Sequence, residues 1–122
     1  MTGTPSGIRT YSDAATLASA GVSEIASYAG GKTRRVTFHT PGDGTVRARI
    51  YQTDVITWRP DTVTVNTGGY NTLSTFDGIA AALGISRARV GMRKGVPYVN
   101  GAKIDPTTHT VTLDIHTGEA HA

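Results

Sequence analysis

An alternation of apolar and polar residues with a period of two recurs along this chain, and it constrains the fold more than any other feature. Val36 and Phe38 alternate with Arg35, Thr37 and His39; Pro41-Gly42-Asp43-Gly44 supplies turn chemistry; Val46, Ala48 and Ile50 then alternate with Arg47, Arg49 and Tyr51. Successive side chains of a strand point to opposite faces, so the pattern predicts an antiparallel hairpin with one apolar and one basic face. Residues 54–58 and 62–66, joined by Pro60-Asp61 and carrying Val63 and Val65 on one face, predict a second hairpin. The two together make a four-stranded meander. Val90 with Met92, residues 96–100 after Lys94-Gly95, and Val111, Leu113 and Ile115 predict three further strands.

Two segments follow a helical period instead. Phe76, Ile79, Ala80 and Leu83 fall at i, i+3, i+4 and i+7, with Gly84 as the stop, so this stripe should lie on the sheet. Ser12 followed by Asp13 reads as an N-cap with an acid in the first turn, and Leu17, Gly21, Ile25 and Tyr28 continue at helical spacing to Gly30-Gly31. Gly21 in that interior costs about 1 kcal/mol relative to Ala, so the alternative is a break into two short turns with Ser23 capping the second. Residues 1–10, rich in Gly, Thr, Ser and Pro, are expected to form a flexible tail, and residues 118–122 a frayed end. The expectation is one α+β domain over residues 11–117, a mainly antiparallel sheet of about six to seven strands with two short helices on one face.

Composition narrows the class without naming a chemistry. The 122 residues are 38% hydrophobic and 17% charged, enough for one core and too apolar for a disordered chain. No apolar run reaches the length of a membrane helix. Cysteine is absent, which removes disulfides, thiolate metal sites and cysteine nucleophiles together. Residues 1–10 lack the apolar core of a signal peptide, so a reducing cytoplasm is the expected location.

Charge is segregated. Residues 31–59 hold Lys32, Arg34, Arg35, Arg47, Arg49 and Arg59 against Asp43 and Asp54, and residues 85–103 hold Arg87, Arg89, Arg93, Lys94 and Lys103 against no acid. The remainder is acidic, with Arg9 as its one base. On the hairpin, Arg35, His39, Arg47, Arg49 and Tyr51 share the face opposite the core, where guanidinium groups suit phosphates and Tyr51, with Trp58, suits stacking on bases. A solvated basic face serving no ligand has the same pattern. Arg87, Arg89, Arg93 and Lys94 extend the anion-binding reading, or contact acidic patches of a second copy. Gly68-Gly69, ahead of the second helix, either turns backbone N–H groups toward a phosphate or forms a strand-to-helix turn capped by Thr72 or Ser74.

Catalytic and metal signatures are sparse. His109 and His116 are seven apart and point to opposite faces of one strand; Asp114 and His116 share a face but lack a third ligand, so no metal and no cofactor is expected. No nucleophile elbow, zinc-protease helix, P-loop or kinase set occurs, and Asp54, beside Thr53 and near Arg49 and Trp58, is the one acid placed to bind a ligand amine or hydroxyl. No enzymatic activity is expected.

One stretch has a recognisable order. Thr53-Asp54-Val55-Ile56-Thr57, Pro60-Asp61, Val65-Asn66-Thr67-Gly68-Gly69-Tyr70, the hydroxyl-rich residues 72–75, and then Lys94-Gly95 and Tyr98-Val99 together resemble small accessory proteins of actinobacterial bacteriophages. The likeness spans roughly residues 45–100, with Tyr70 and Pro97 where that family often has Trp and an Ala-rich helix where it has a polar one. It implies a phage-encoded accessory protein acting in the host cytoplasm and implies no catalytic residue. The expected function is non-enzymatic binding of a phosphate-bearing partner, a nucleic acid strand or a small signalling nucleotide. The alternative is a host or phage protein as partner, or self-association, through strand edges such as 62–66 and 110–116 and through Tyr51, Trp58 and Tyr70.

Overall fold

The computed structural model describes residues 6–26 and 33–120. In chain order its elements are helix α1 (Tyr11–Ser19), strands β1 (Glu24–Ala26), β2 (Thr33–Arg35), β3 (Thr37–His39), β4 (Val46–Ile50), β5 (Thr53–Trp58) and β6 (Thr62–Asn66), helix α2 (Leu73–Leu83), a 3-10 turn (Arg87–Arg89), and strands β7 (Val90–Arg93), β8 (Val96–Val99), β9 (Ala102–Lys103) and β10 (Thr110–Asp114). The fold is α+β with antiparallel pairing throughout the described strands.

The meander forms as its periodicity predicts, and β10 adds to it beside β6, giving the order β10-β6-β5-β4-β3. Cross-strand register stacks Phe38, Ala48, Ile56 and Val65 in one row and Val46, Trp58, Val63 and Leu113 in the next, and all eight are buried. The strands after α2 do not all join that sheet. β7, β8 and β9 form a separate three-stranded sheet, closed by Lys94-Gly95 and Asn100-Gly101 turns in which all four residues have positive φ. A short pair, β1 with β2, stands apart from both.

Helix α2 lies between the two larger sheets rather than over one face of a single sheet. Thr72 caps it, its hydroxyl accepting from the Thr75 N–H, and Gly84 ends it at φ 74. Besides the expected stripe, Ala81 and Ala82 are buried too, because the C-terminal half of the helix, residues 78–83, carries no polar side chain and the helix packs against β5 and β7 at once.

Three expectations at the chain ends are corrected. Ser6 to Thr10 are anchored to the fold: Ile8 enters the core at 2% exposed, the Ser6 hydroxyl donates to the Ile115 carbonyl, and the Arg9 side chain donates to the Ala81 and Ala82 carbonyls at the end of α2. Met1 to Pro5 lie outside the described residues. Helix α1 is capped by Thr10, not Ser12, and ends before Gly21 at φ 69; Ile25 then belongs to a strand, and the Ser23 carbonyl accepts from the Val36 N–H. Tyr28, Gly30 and Gly31 lie outside the described residues. Gly118 is tied to Asp114 and Asn100, and Ala120 bridges Leu113, so the segment to 120 is held.

Candidate functional site

The geometry of the site begins with an irregularity in β5. Trp58 and Ile56 alternate into the core, and strict alternation would carry Asp54 in after them. A bulge between the Ala48 and Arg49 pairings inserts Val55 instead, so Val55 and Ile56 are both buried and Asp54 emerges opposite Arg49 on the outer face. The sequence signal for it is the acid at the position where the apolar alternation should continue.

Asp54 then organises the basic face. Its Oδ1 accepts from Arg49 Nε at 3.0 Å and lies 2.9 Å from His39 Nε2, while Arg47 approaches Oδ2 at 3.6 Å. Arg47 also donates to Asp43 at 2.8 Å. Burial pushes the Asp54 carboxyl upward, but hydrogen bonds from Arg49 and His39, with their charges, outweigh it and hold the group below its ordinary value. Asp43, accepting from the Thr45 hydroxyl and N–H and lying beside Arg47, is held at about 2. The face expected to be a basic track is thus a network of alternating charge. Of its arginines, Arg35 has no ion pair among the described residues, and Arg49 keeps 47% of its side chain exposed.

Beside this network the β4–β5 turn and the start of α2 enclose a groove. Ile50 and Thr53 pair across a two-residue turn, Tyr51-Gln52, and Tyr51 takes φ 53 with its ring 83% exposed. A left-handed conformation is uncommon for a bulky residue, and it aims the ring out at the groove mouth. The larger lobe, about 450 Å³, has Ile50 and Val55 as its floor, Tyr51 and Tyr70 among its walls, and hydroxyls from Thr53, Thr67, Thr72, Ser74 and Thr75 at its sides. The smaller lobe, about 240 Å³, is lined by Arg35 and Arg49 and shares Ile50, Tyr51 and Ser74 with the larger one. Thr72 and Thr75 hydroxyls bond each other, whereas those of Thr53, Ser74, Tyr51 and Tyr70 have no hydrogen-bond partner among the described residues. Among the described residues, no carboxylate or imidazole lines either lobe.

Several sequence-selected residues take other places. Trp58 is 0% exposed, donates Nε1–H to the Arg9 carbonyl at 2.8 Å and packs on Phe38, so it stacks on no ligand; it follows the inward alternation of β5. The Gly68 and Gly69 N–H groups are taken by Asn66 Oδ1 and the Thr67 hydroxyl, which makes the loop a turn at φ 63 and 85 rather than a phosphate cradle. A Cβ on Gly68 would meet Thr53 Cγ2 at 3.1 Å, so this glycine lets the loop close on the groove wall. Arg87 binds Asp77 and the Val90 carbonyl, and Arg89 binds Asn100 and the Ser6 carbonyl; both are consumed internally. Arg93 and Lys94 are exposed on the three-stranded sheet, away from the groove lining. His116 lies 3.8 Å from Asp61, and no group of three or more metal-ligating side chains occurs among the described residues. None of the described helices is long and apolar enough to cross a membrane. The groove residues that sequence reasoning missed, Ile50, Thr53 and Ser74 among them, carry no signal of their own; the bulge and the helix position bring them together.

Comparison with known proteins finds no matching family model, no matching curated protein and no matching solved structure.

Proposed function

We propose that the protein is a non-enzymatic binder of a small nucleotide, with the ring in the larger lobe against Tyr51 and Tyr70 and the phosphate turned toward Arg35 and Arg49. The observation that carries this reading is the joining of a neutral, tyrosine-walled lobe to an arginine lobe through shared Ile50, Tyr51 and Ser74. A pocket of about 450 Å³ falls within the size range of small-molecule sites. The hydroxyls of Thr53 and Ser74, which have no hydrogen-bond partner among the described residues, suit the polar edges of a base or ribose. Binding without turnover is favoured because, among the described residues, the hydroxyls lining the groove share it with no carboxylate or imidazole to act as a general base. In an accessory protein of a phage, the role such binding serves is sequestration of a host signalling nucleotide.

Calorimetric titration with adenosine and guanosine mono- and cyclic nucleotides at two ionic strengths tests this reading. A pocket ligand should lose little affinity as salt rises, whereas a strand contacting several phosphates loses affinity steeply. Tyr51→Ala should weaken binding by about tenfold or more, base–aromatic stacking being worth about 1–3 kcal/mol. Absence of binding by every nucleotide, or an unchanged affinity in Tyr51→Ala and Arg35→Glu, overturns the proposal. A second reading rests on Leu73, 74% exposed on the first turn of α2 beside the groove, which with Tyr51 and Tyr70 forms the aromatic and aliphatic surface of a protein interface. A stoichiometric protein partner lost on Leu73→Asp, in the absence of nucleotide binding, would favour that reading.

A further inference from the structure

The basic block at residues 85–103 divides into cations that the molecule uses and cations that it does not. Arg87 and Arg89 are held by internal partners, but Arg93, Lys94 and Lys103 form no ion pair among the described residues. Register explains where those three go. Val90, Pro97 and Val99 turn inward from the three-stranded sheet and are buried, so the alternate positions, Arg93 opposite Val96 and Tyr98 opposite Lys103, share the outer face. Lys94 joins them from the β7–β8 turn at φ 52.

This face is shaped as well as charged. A cavity of about 310 Å³ is lined by Arg93, Lys94, Val96, Tyr98, Gly101 and Lys103, with no acid among them. The Arg93 guanidinium sits 4.6 Å from the centre of the Tyr98 ring. Arg93 itself is exposed and Tyr98 half-buried, so the pair presents a cationic π surface to solvent.

We infer that the outer face of the three-stranded sheet binds single-stranded nucleic acid. The charges are of one sign and form no ion pair among the described residues, which complements a phosphate backbone. The Arg93–Tyr98 stack accepts the face of an unpaired base, as arginine planes and aromatic rings do on single-strand platforms. A duplex keeps its base faces stacked away from such a surface. An acidic peptide would satisfy the charges but leave the stack unused. The site shares no lining residue with the groove, and it stands whether or not the groove takes a nucleotide.

Fluorescence anisotropy of a labelled oligothymidylate with the intact protein tests the inference. Three neutralised phosphates at about −0.7 each predict a slope near −2 for log affinity against log salt. Lys94→Gln combined with Lys103→Gln should weaken binding about tenfold or more at low salt and flatten that slope, with an unchanged circular dichroism spectrum. Arg93→Ala should weaken binding while leaving calorimetric titration of the groove unchanged, and saturating adenosine monophosphate should not displace the oligonucleotide. No binding, unchanged affinity in these variants, or equal affinity for a hairpin duplex overturns the inference. Tighter binding of polyglutamate than of the oligonucleotide also overturns it and gives the face to an acidic peptide. Loss of oligonucleotide binding in Arg35→Glu, with the lysine variants unaffected, overturns it in favour of the groove.

Discussion

Gly78 stands in the interior of α2, where helix propensity alone says that alanine would be better by about 1 kcal/mol. The packing says otherwise. A Cβ at Gly78 falls 2.1 Å from Ile50 Cδ1 and 3.1 Å from Cγ1, so Ile50 must move before the methyl fits. Overpacking a core contact costs about 1–3 kcal/mol, which against the propensity gain leaves Gly78→Ala destabilised by about 0–2 kcal/mol. Ile50→Val removes Cδ1 and by itself costs about 0.5–1.5 kcal/mol. In the Gly78→Ala background the same truncation relieves the clash, so the double variant should be more stable than the sum of the singles by about 1 kcal/mol. Urea unfolding of the four proteins in one cycle measures that coupling. Additivity within about 0.5 kcal/mol, or a Gly78→Ala variant stabilised by the full propensity gain, would refute the close approach of helix and sheet. Ile50 also forms the floor common to both lobes, so the displaced side chain in Gly78→Ala should reduce affinity for a groove ligand, and Ile50→Val should restore it.

Two further predictions follow from the same region. Tyr51→Gly should stabilise the fold by up to about 1 kcal/mol in thermal or urea unfolding, because glycine accepts φ 53 without the steric cost, while weakening nucleotide binding as Tyr51→Ala does; destabilisation of more than about 1 kcal/mol would contradict the strain assigned to Tyr51. The lowered Asp54 carboxyl contributes stability that is present above its ordinary value of 3.8 and is lost as pH falls through its folded value. Asp54→Asn should therefore lower the melting temperature near neutrality and flatten its decline below about pH 4, and an unchanged acid limb would show that the Arg49–His39 contacts contribute nothing there.

The meander and α2 are legible in the sequence because each rests on a local rule repeated several times. Period-two alternation, Pro-Gly and Pro-Asp turns, and the Thr72 and Gly84 boundaries all point the same way. The errors arise where a residue's state depends on a distant partner. Ser6 to Thr10 look like a tail by composition, yet the Arg9 carbonyl is the partner of a buried tryptophan and its side chain caps a helix seventy residues on. Trp58 looks available for stacking until the strand's inward parity is followed to its end.

Charge is where sequence and structure part most widely, and the reason is geometric. Both basic blocks read alike as strings, but the first contains Asp43 and Asp54, and the β5 bulge turns Asp54 into the midst of His39, Arg47 and Arg49. An acid counted as a minor offset along the chain thereby neutralises most of the face in space. The second block contains no acid, yet two of its arginines are drawn inward by Asp77 and Asn100, which lie outside any count of neighbouring charge. What remains is decided by strand parity: Arg93, Tyr98 and Lys103 alternate with buried Pro97 and Val99 and so must face solvent together. Anion-binding capacity therefore follows the cations that line a cavity and form no ion pair among the described residues, Arg35 at the groove and Arg93, Lys94 and Lys103 on the small sheet, rather than the net charge of the segments that supply them.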